Sequence, residues 1–242
     1  MEDDFYIGEN GLEYCSKCKT PRQILLESKL LGKKVFSCMC KCQREEYQKT
    51  EKAQREEEIR LAKEKCFGKK NDCTFECDDR KNEKLSNAMR KYARDFKHYR
   101  DINKGLLLYG DKGTGKSFYA ACIANELIES GFRVRMTTFN EIANKLWDCE
   151  DKDAFYRSLN QNTLLIIDDL GVERSSEYMS EIVFQVIDNR VKTKKPMIIT
   201  TNLDIRELST TGDMNKDRRR SRSGWRISQP FWARPGLMYP KR

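Results

Sequence analysis

Four short apolar runs stand out along the middle of the chain, at 105–109, 134–138, 164–167 and 197–201, each built from residue types that suit a buried strand. Between them the apolar positions change period. The stretch 117–130 repeats at helical spacing and stops at Gly131, a residue suited to end a helix. In 177–194, Met179, Ile182, Val183, Val186 and Ile187 fall on one helical face. Strands alternating with helices predict an α/β domain on a parallel sheet covered on both sides.

The flanking stretches lack this pattern. Residues 1–42 are rich in cysteine and poor in helical periodicity, and read as a small separate module. Residues 43–65 mix both charge signs with few apolar positions, which predicts a solvent-exposed helical linker. The α/β domain is expected over 66–215. The remainder, 216–242, is an arginine-rich, irregular tail.

Composition sharpens the picture in three places. Charged residues make up 35% of the 242 and no apolar run approaches the roughly 20 residues of a membrane span. The acidic start, Met1-Glu2-Asp3-Asp4, lacks the basic and apolar segments of a signal peptide, so a cytoplasmic protein is expected. The net charge of +9 suggests nucleic acid, but 216–242 holds nine Lys/Arg against one acid, leaving only +1 for the rest.

The segment Gly110-Asp111-Lys112-Gly113-Thr114-Gly115-Lys116-Ser117 matches G-x-x-x-x-G-K-[ST], with a predicted strand before it and a predicted helix after. Gly110, Gly113 and Gly115 let the backbone turn tightly and aim its N–H groups at phosphate oxygens. The helix start adds its positive end. Lys116 is expected to reach the β- and γ-phosphates of ATP, and the Ser117 hydroxyl to ligate Mg²⁺. A second apolar strand ends in Asp168-Asp169, where Asp168 serves as the Mg²⁺-side acid and Asp169 orients or deprotonates the attacking water. A third, ending in Thr200-Thr201-Asn202, offers Asn202 to hold that water or sense the γ-phosphate.

Ten cysteines in a cytosolic chain argue against disulfides, and five of them crowd into 15–42. Cys15-x-x-Cys18 followed by Cys40-x-Cys42 is a pair of pairs suited to tetrahedral Zn²⁺, with Gly11 and Gly32 offering tight turns. Spacing alone leaves Cys38/Cys40 open as the second pair. Cys66, Cys73, Cys77, Cys122 and Cys149 read as structural. His98 is the only histidine, so no histidine-based metal site or nucleophilic mechanism is expected.

The phosphate loop, Asp168-Asp169-Leu170-Gly171-Val172-Glu173 and Thr200-Thr201-Asn202 together resemble the AAA+ ATPases of the DnaC/DnaI helicase-loader group, phage and prophage versions above all. The resemblance extends over about 12–215 and takes in the cysteine module and the Cys73-Thr74-Phe75 approach to the ATPase domain. It implies a P-loop AAA+ parallel sheet flanked by helices, preceded by a zinc-binding module and a charged helical linker. It also implies an ATP-controlled protein that binds single-stranded DNA and a replicative helicase and loads one onto the other, as a homo-oligomer when active. The resemblance selects Cys40 and Cys42 as the second zinc pair and makes Asn202 the sensor-1 residue. Two other readings are carried beside it: a transposition helper ATPase of the IstB-like kind, which normally lacks the cysteine module, and a zinc-organised helicase adaptor with little ATP turnover.

The tail departs from the group. Its members usually continue past the Thr-Thr-Asn strand into a helix carrying catalytic arginines, whereas here Lys216-Asp217-Arg218-Arg219-Arg220-Ser221 has no apolar helical spacing. A reading-frame change near residue 218 explains this, and so does a basic DNA-binding tail with aromatics for base stacking. On the first explanation hydrolysis is impaired.

Overall fold

A computed structural model describes residues 4–28, 32–67, 73–171 and 177–203. Val172, Glu173 and the whole tail at 216–242, with the arginines at 218–220, lie outside them. The chain divides into two units, 1–58 and 59–242.

The first unit holds two antiparallel hairpins. Strand β1 (Phe5–Ile7) pairs with β2 (Glu13–Cys15), Phe5 opposite Cys15, and β3 (Gln23–Ser28) pairs with β4 (Gly32–Ser37), Gln23 opposite Ser37. Among the described residues up to 58 only Cys15 and Cys40 are buried, while Leu25, Leu26, Val35 and Phe36 are exposed. Helix α1 (Lys41–Phe67) begins here, and its last turns from Ile59 onward belong to the second unit. Its surface carries the opposite-charge pairs Lys41–Glu45, Lys52–Glu56 and Arg60–Glu64 at i,i+4 spacing, each worth a few tenths of a kcal/mol. Cys66 is its one buried residue.

The second unit is the α/β fold. Helices α2 (Glu83–Arg94) and α3 (Phe96–Asp101) precede β5 (Leu106–Tyr109), α4 (Lys116–Glu129), β6 (Val134–Thr137), α5 (Phe139–Trp147), α6 (Lys152–Gln161), β7 (Leu164–Leu170), α7 (Glu177–Lys192) and β8 (Met197–Thr201). The four strands form one parallel sheet in the order β5-β8-β7-β6. Alternation along each strand feeds two cores. Leu106, Leu108, Leu164, Ile166 and Ile198 pack with α2, α3 and α4 on one face. Leu107, Leu165, Ile167, Met197 and Ile199 pack with α5, α6 and α7 on the other.

Helix ends follow local chemistry. Thr138, expected at the end of the second strand, leaves it to cap α5, its hydroxyl accepting from the Glu141 N–H at 3.1 Å. Gly131 follows α4 at φ 84°, the left-handed position that closes a helix C-terminus. The apolar face of α7 is as expected, with Ile182, Val183 and Val186 buried, but it runs on to an arginine.

Arg190 is fully buried, one turn beyond Val186. Its guanidinium donates to the carbonyls of Asn162 at 2.9 Å, Thr163 at 3.3 Å and Pro196 at 2.7 Å, the backbone just before β7 and β8. Burial pulls its pKa down to about 10. Because each orphaned buried carbonyl costs about 1–3 kcal/mol, Arg190→Ala is expected to destabilise this unit by about 3–5 kcal/mol in urea unfolding. A loss below about 1 kcal/mol would mean that water replaces the guanidinium.

Candidate functional site

Parallel pairing brings the carboxyl ends of β5, β8 and β7 together, the edge where ligands sit in open α/β sheets. Tyr109 pairs with Thr201, so Gly110 and Asn202 leave the sheet side by side. The loop from Gly110 into α4 turns through three left-handed glycines, Gly110 at φ 131°, Gly113 at 84° and Gly115 at 85°. A side chain at Gly110 or Gly113 would meet nothing within 4 Å, so these positions are glycine for backbone conformation and not for space. Asp111, Lys112, Gly113 and Thr114 are exposed on the loop.

Lys116 opens α4 and is buried, its Nζ donating to the carbonyls of Gly110 at 2.9 Å and Asp111 at 2.8 Å. Its ammonium is therefore held inside the loop. Ser117 follows, and its hydroxyl donates to Asp168 Oδ1 at 2.7 Å. Hydroxyl and carboxylate side by side form a hard-oxygen pair of the type Mg²⁺ takes beside phosphate oxygens. The loop, Lys116, Ser117 and Asp168 thus fit a nucleotide phosphate with its magnesium.

Strand β7 runs past the expected 164–167 to Leu170 by way of a bulge. Ile167 pairs with Ile199 and Leu170 with Thr201, so Asp168 and Asp169 together face Thr200. Asp169 takes the left-handed conformation, φ 55°, at a cost of about 1–2 kcal/mol, and is exposed. The Thr200 hydroxyl closes the bulge, accepting from the Asp169 N–H at 2.9 Å and donating to Asp168 Oδ1 at 2.6 Å. The sequence places Thr200 in the Thr-Thr-Asn run without giving it a role. The available signal was a hydroxyl inside a fully buried strand, which must find a partner. Asn202 is exposed at the strand end.

A second contribution comes from outside the loop. Tyr119, one turn into α4, lies under Gly115, and its hydroxyl donates to Asp78 at 3.0 Å. The Ser86 hydroxyl and the Arg80 N–H also donate to Asp78. These donors hold its carboxyl below the usual carboxylate range against the upward push of burial, the largest single influence on it.

In the first unit, Cys15, Cys18, Cys40 and Cys42 bring four Sγ atoms within 4.8 Å of one another. Tetrahedral zinc with Zn–S near 2.3 Å spaces its sulfurs about 3.8 Å apart. The Cys15–Cys42 and Cys40–Cys42 separations, 3.5 and 3.2 Å, are close to that, so the donor set fits Zn²⁺. Cys38 stands apart, donating to the Pro21 carbonyl at 3.5 Å. The left-handed turn beside the first pair is made by Lys19, φ 60°, whose N–H returns to the Cys15 carbonyl at 2.9 Å. Gly11 and Gly32 lie instead in the turn between β1 and β2 and at the start of β4. The Thr20 hydroxyl accepts from the Lys41 N–H at 2.8 Å and lies 3.1 Å from Cys18, which it brings down to about 5. Side-chain hydrogen bonds with Cys40 and Cys15 push the Cys42 pKa up to about 12. Away from this cluster, burial pushes Cys66 and Cys122 up to about 12, which suits inert thiols.

The family described as IstB-like ATP binding protein matches residues 37–216. The chain is 32% identical over 160 residues to the replicative helicase loader DnaC of Escherichia coli strain K12, covering 61% of this chain and 63% of that protein. It is 30% identical over 128 residues to the replicative helicase loader DnaI of Bacillus subtilis strain 168, covering 50% and 41%. The chain therefore matches less than two thirds of either relative's length. A crystal structure of the DnaC helicase loader aligns over 59% of this chain and 83% of its own with a TM-score of 0.49 and 23% identity. Among the described residues no helix is long and apolar enough to cross a membrane.

Proposed function

The chain belongs to the IstB-like ATP binding protein family, and from that premise we propose that it is an ATP-dependent DNA-replication protein that binds single-stranded DNA and loads a replicative helicase. The observation that carries the reading is the meeting of Lys116, Ser117 and Asp168 at one sheet edge, in a chain 32% identical to a helicase loader across 160 residues.

In this reading the loop N–H groups and Lys116 bind the phosphates, and Ser117 with Asp168 holds Mg²⁺, which neutralises charge gathering on the transferred group. Asp169 orients the water. Asn202, leaving the sheet beside Gly110, senses the γ-phosphate. The cysteine module, held by Zn²⁺, belongs to the partner-binding part of the chain, and the active form is an oligomer. Hydrolysis depends on an arginine held in place, and the arginines at 218–220 are the candidates.

A transposition helper of the same family is the second reading. The chain's 32% identity to DnaC and 30% identity to DnaI, both replicative helicase loaders, support the loader instead. The test is capture of a purified bacterial replicative helicase by the full chain, with ATPase rate measured with and without helicase and single-stranded DNA. Capture together with a rate that responds to either partner is the expected result, and Asp168→Ala should abolish the rate. Absence of capture would remove the loader reading; capture without any turnover would leave an adaptor.

A further inference from the structure

Thr200 closes the bulge and has no role in the ATP reading above, yet its hydroxyl bonds directly to both aspartates of the site. It is fully buried. One oxygen serves two carboxylate-bearing residues at once, donating to Asp168 Oδ1 at 2.6 Å and accepting from the Asp169 N–H at 2.9 Å. The bulge makes this possible, because Asp168 and Asp169 both stand opposite Thr200. Ser117 donates to the same Oδ1 at 2.7 Å. Among the described residues neither hydroxyl reaches Oδ2. Two donors on one carboxylate oxygen fix both its position and its plane, and present Oδ2 as the oxygen left for a further partner.

We propose that Thr200 is a positioning residue for magnesium: its hydroxyl locks the Asp168 carboxylate and the Asp169 bulge in the arrangement that receives Mg²⁺ beside the nucleotide. The inference rests on the ATP·Mg²⁺ reading above. Thr200 touches neither nucleotide nor metal; it acts through Asp168. The neighbouring Thr201 supplies the contrast. It is equally buried in the same strand, but its hydroxyl donates to the Leu170 carbonyl at 2.6 Å and accepts from the Leu203 N–H at 3.1 Å, touching no carboxylate. Loss of either hydroxyl costs the strand hydrogen bonds, whereas loss of Thr200 alone should change how the site responds to metal.

The experiment measures binding of a fluorescent ATP analogue to the full chain in EDTA and across a Mg²⁺ titration, with Thr200→Val, Thr200→Ser and Thr201→Val beside the parent. Thr200→Val keeps the shape and removes the hydroxyl. It should leave affinity in EDTA within about twofold of the parent and raise the half-maximal Mg²⁺ concentration about tenfold, the equivalent of one charge-assisted hydrogen bond at 1.4 kcal/mol per decade. Thr200→Ser should return it to within about threefold, and Thr201→Val should not move it. Should the valine variant fail to fold, Thr200→Cys against Thr200→Ser makes the same comparison, since a thiol is the weaker donor. A parental Mg²⁺ response in the hydroxyl-free variant overturns the inference alone. So does a loss of affinity in EDTA as large as that in Mg²⁺, which marks a merely structural residue. A parent chain that binds the analogue with no Mg²⁺ dependence overturns the underlying reading as well.

Discussion

Lys116→Ala is expected to weaken ATP binding by about 100-fold or more while leaving the fold intact. The ammonium is buried within the loop, 2.9 and 2.8 Å from the carbonyls of Gly110 and Asp111. Lys112, the other cation of the loop, is exposed to water and is a weak substitute. A hydrogen bond to a charged group contributes about 1.5–3 kcal/mol, and the upper figure corresponds to roughly 150-fold in affinity. Binding of a fluorescent ATP analogue measures the loss, with circular dichroism and a thermal melt run on the same samples. Parental affinity in a properly folded variant would mean that the phosphates lie elsewhere.

The second large effect belongs to the first unit. Its only buried side chains among the described residues are Cys15 and Cys40, and its apolar residues Leu25, Leu26, Val35 and Phe36 face water. Apolar burial cannot hold such a unit together. Structural zinc, which contributes about 10–16 kcal/mol in small zinc modules, can. One Zn²⁺ per chain is therefore expected, and Cys40→Ser or strong chelation should unfold the hairpins while the second unit melts as before. Elemental analysis gives the stoichiometry. Hydrogen exchange gives the structure, through the amides of Cys15 and Cys38, which bond to the carbonyls of Thr20 and Arg22. Less than half an equivalent of zinc after metal-replete expression, or protection that survives metal removal, would rule the site out.

The two units also show what a sequence can reveal. Strands β5 to β8 are visible as apolar runs because both of their faces are buried, and the phosphate loop is visible because its glycines answer to backbone geometry. The hairpins of the first unit escape notice, since strands that bury little leave no periodic trace. Thr138 reads as the continuation of a strand but is spent on a helix cap. Arg190 gives no sign in the sequence of its burial, because the carbonyls that accept from its guanidinium are brought to it only by the folded chain. Thr200 escapes for the same reason: its partners lie 31 and 32 residues away. Asp168 and the loop could be assigned chemistry from motif and order, whereas the bulge that aims Asp168 depends on strand register, which local sequence does not encode.

The strand order β5-β8-β7-β6 has a consequence for how the protein is made. Leu106 pairs with Ile198, 92 residues later, while β6 and β7 are neighbours both in sequence and in the sheet. At roughly 5–20 residues per second, a ribosome needs about 5–18 s to deliver β8 after β5. Among the described residues β5 pairs only with β8, so throughout that interval β5 and the phosphate loop lack this partner. The sheet closes from its centre, late, and a nascent chain halted before residue 197 holds the phosphate loop and both aspartates without the strand that unites them. The phosphate loop and the two aspartates proposed to take ATP and magnesium thus share one sheet edge only once β8 has joined β5 to β7.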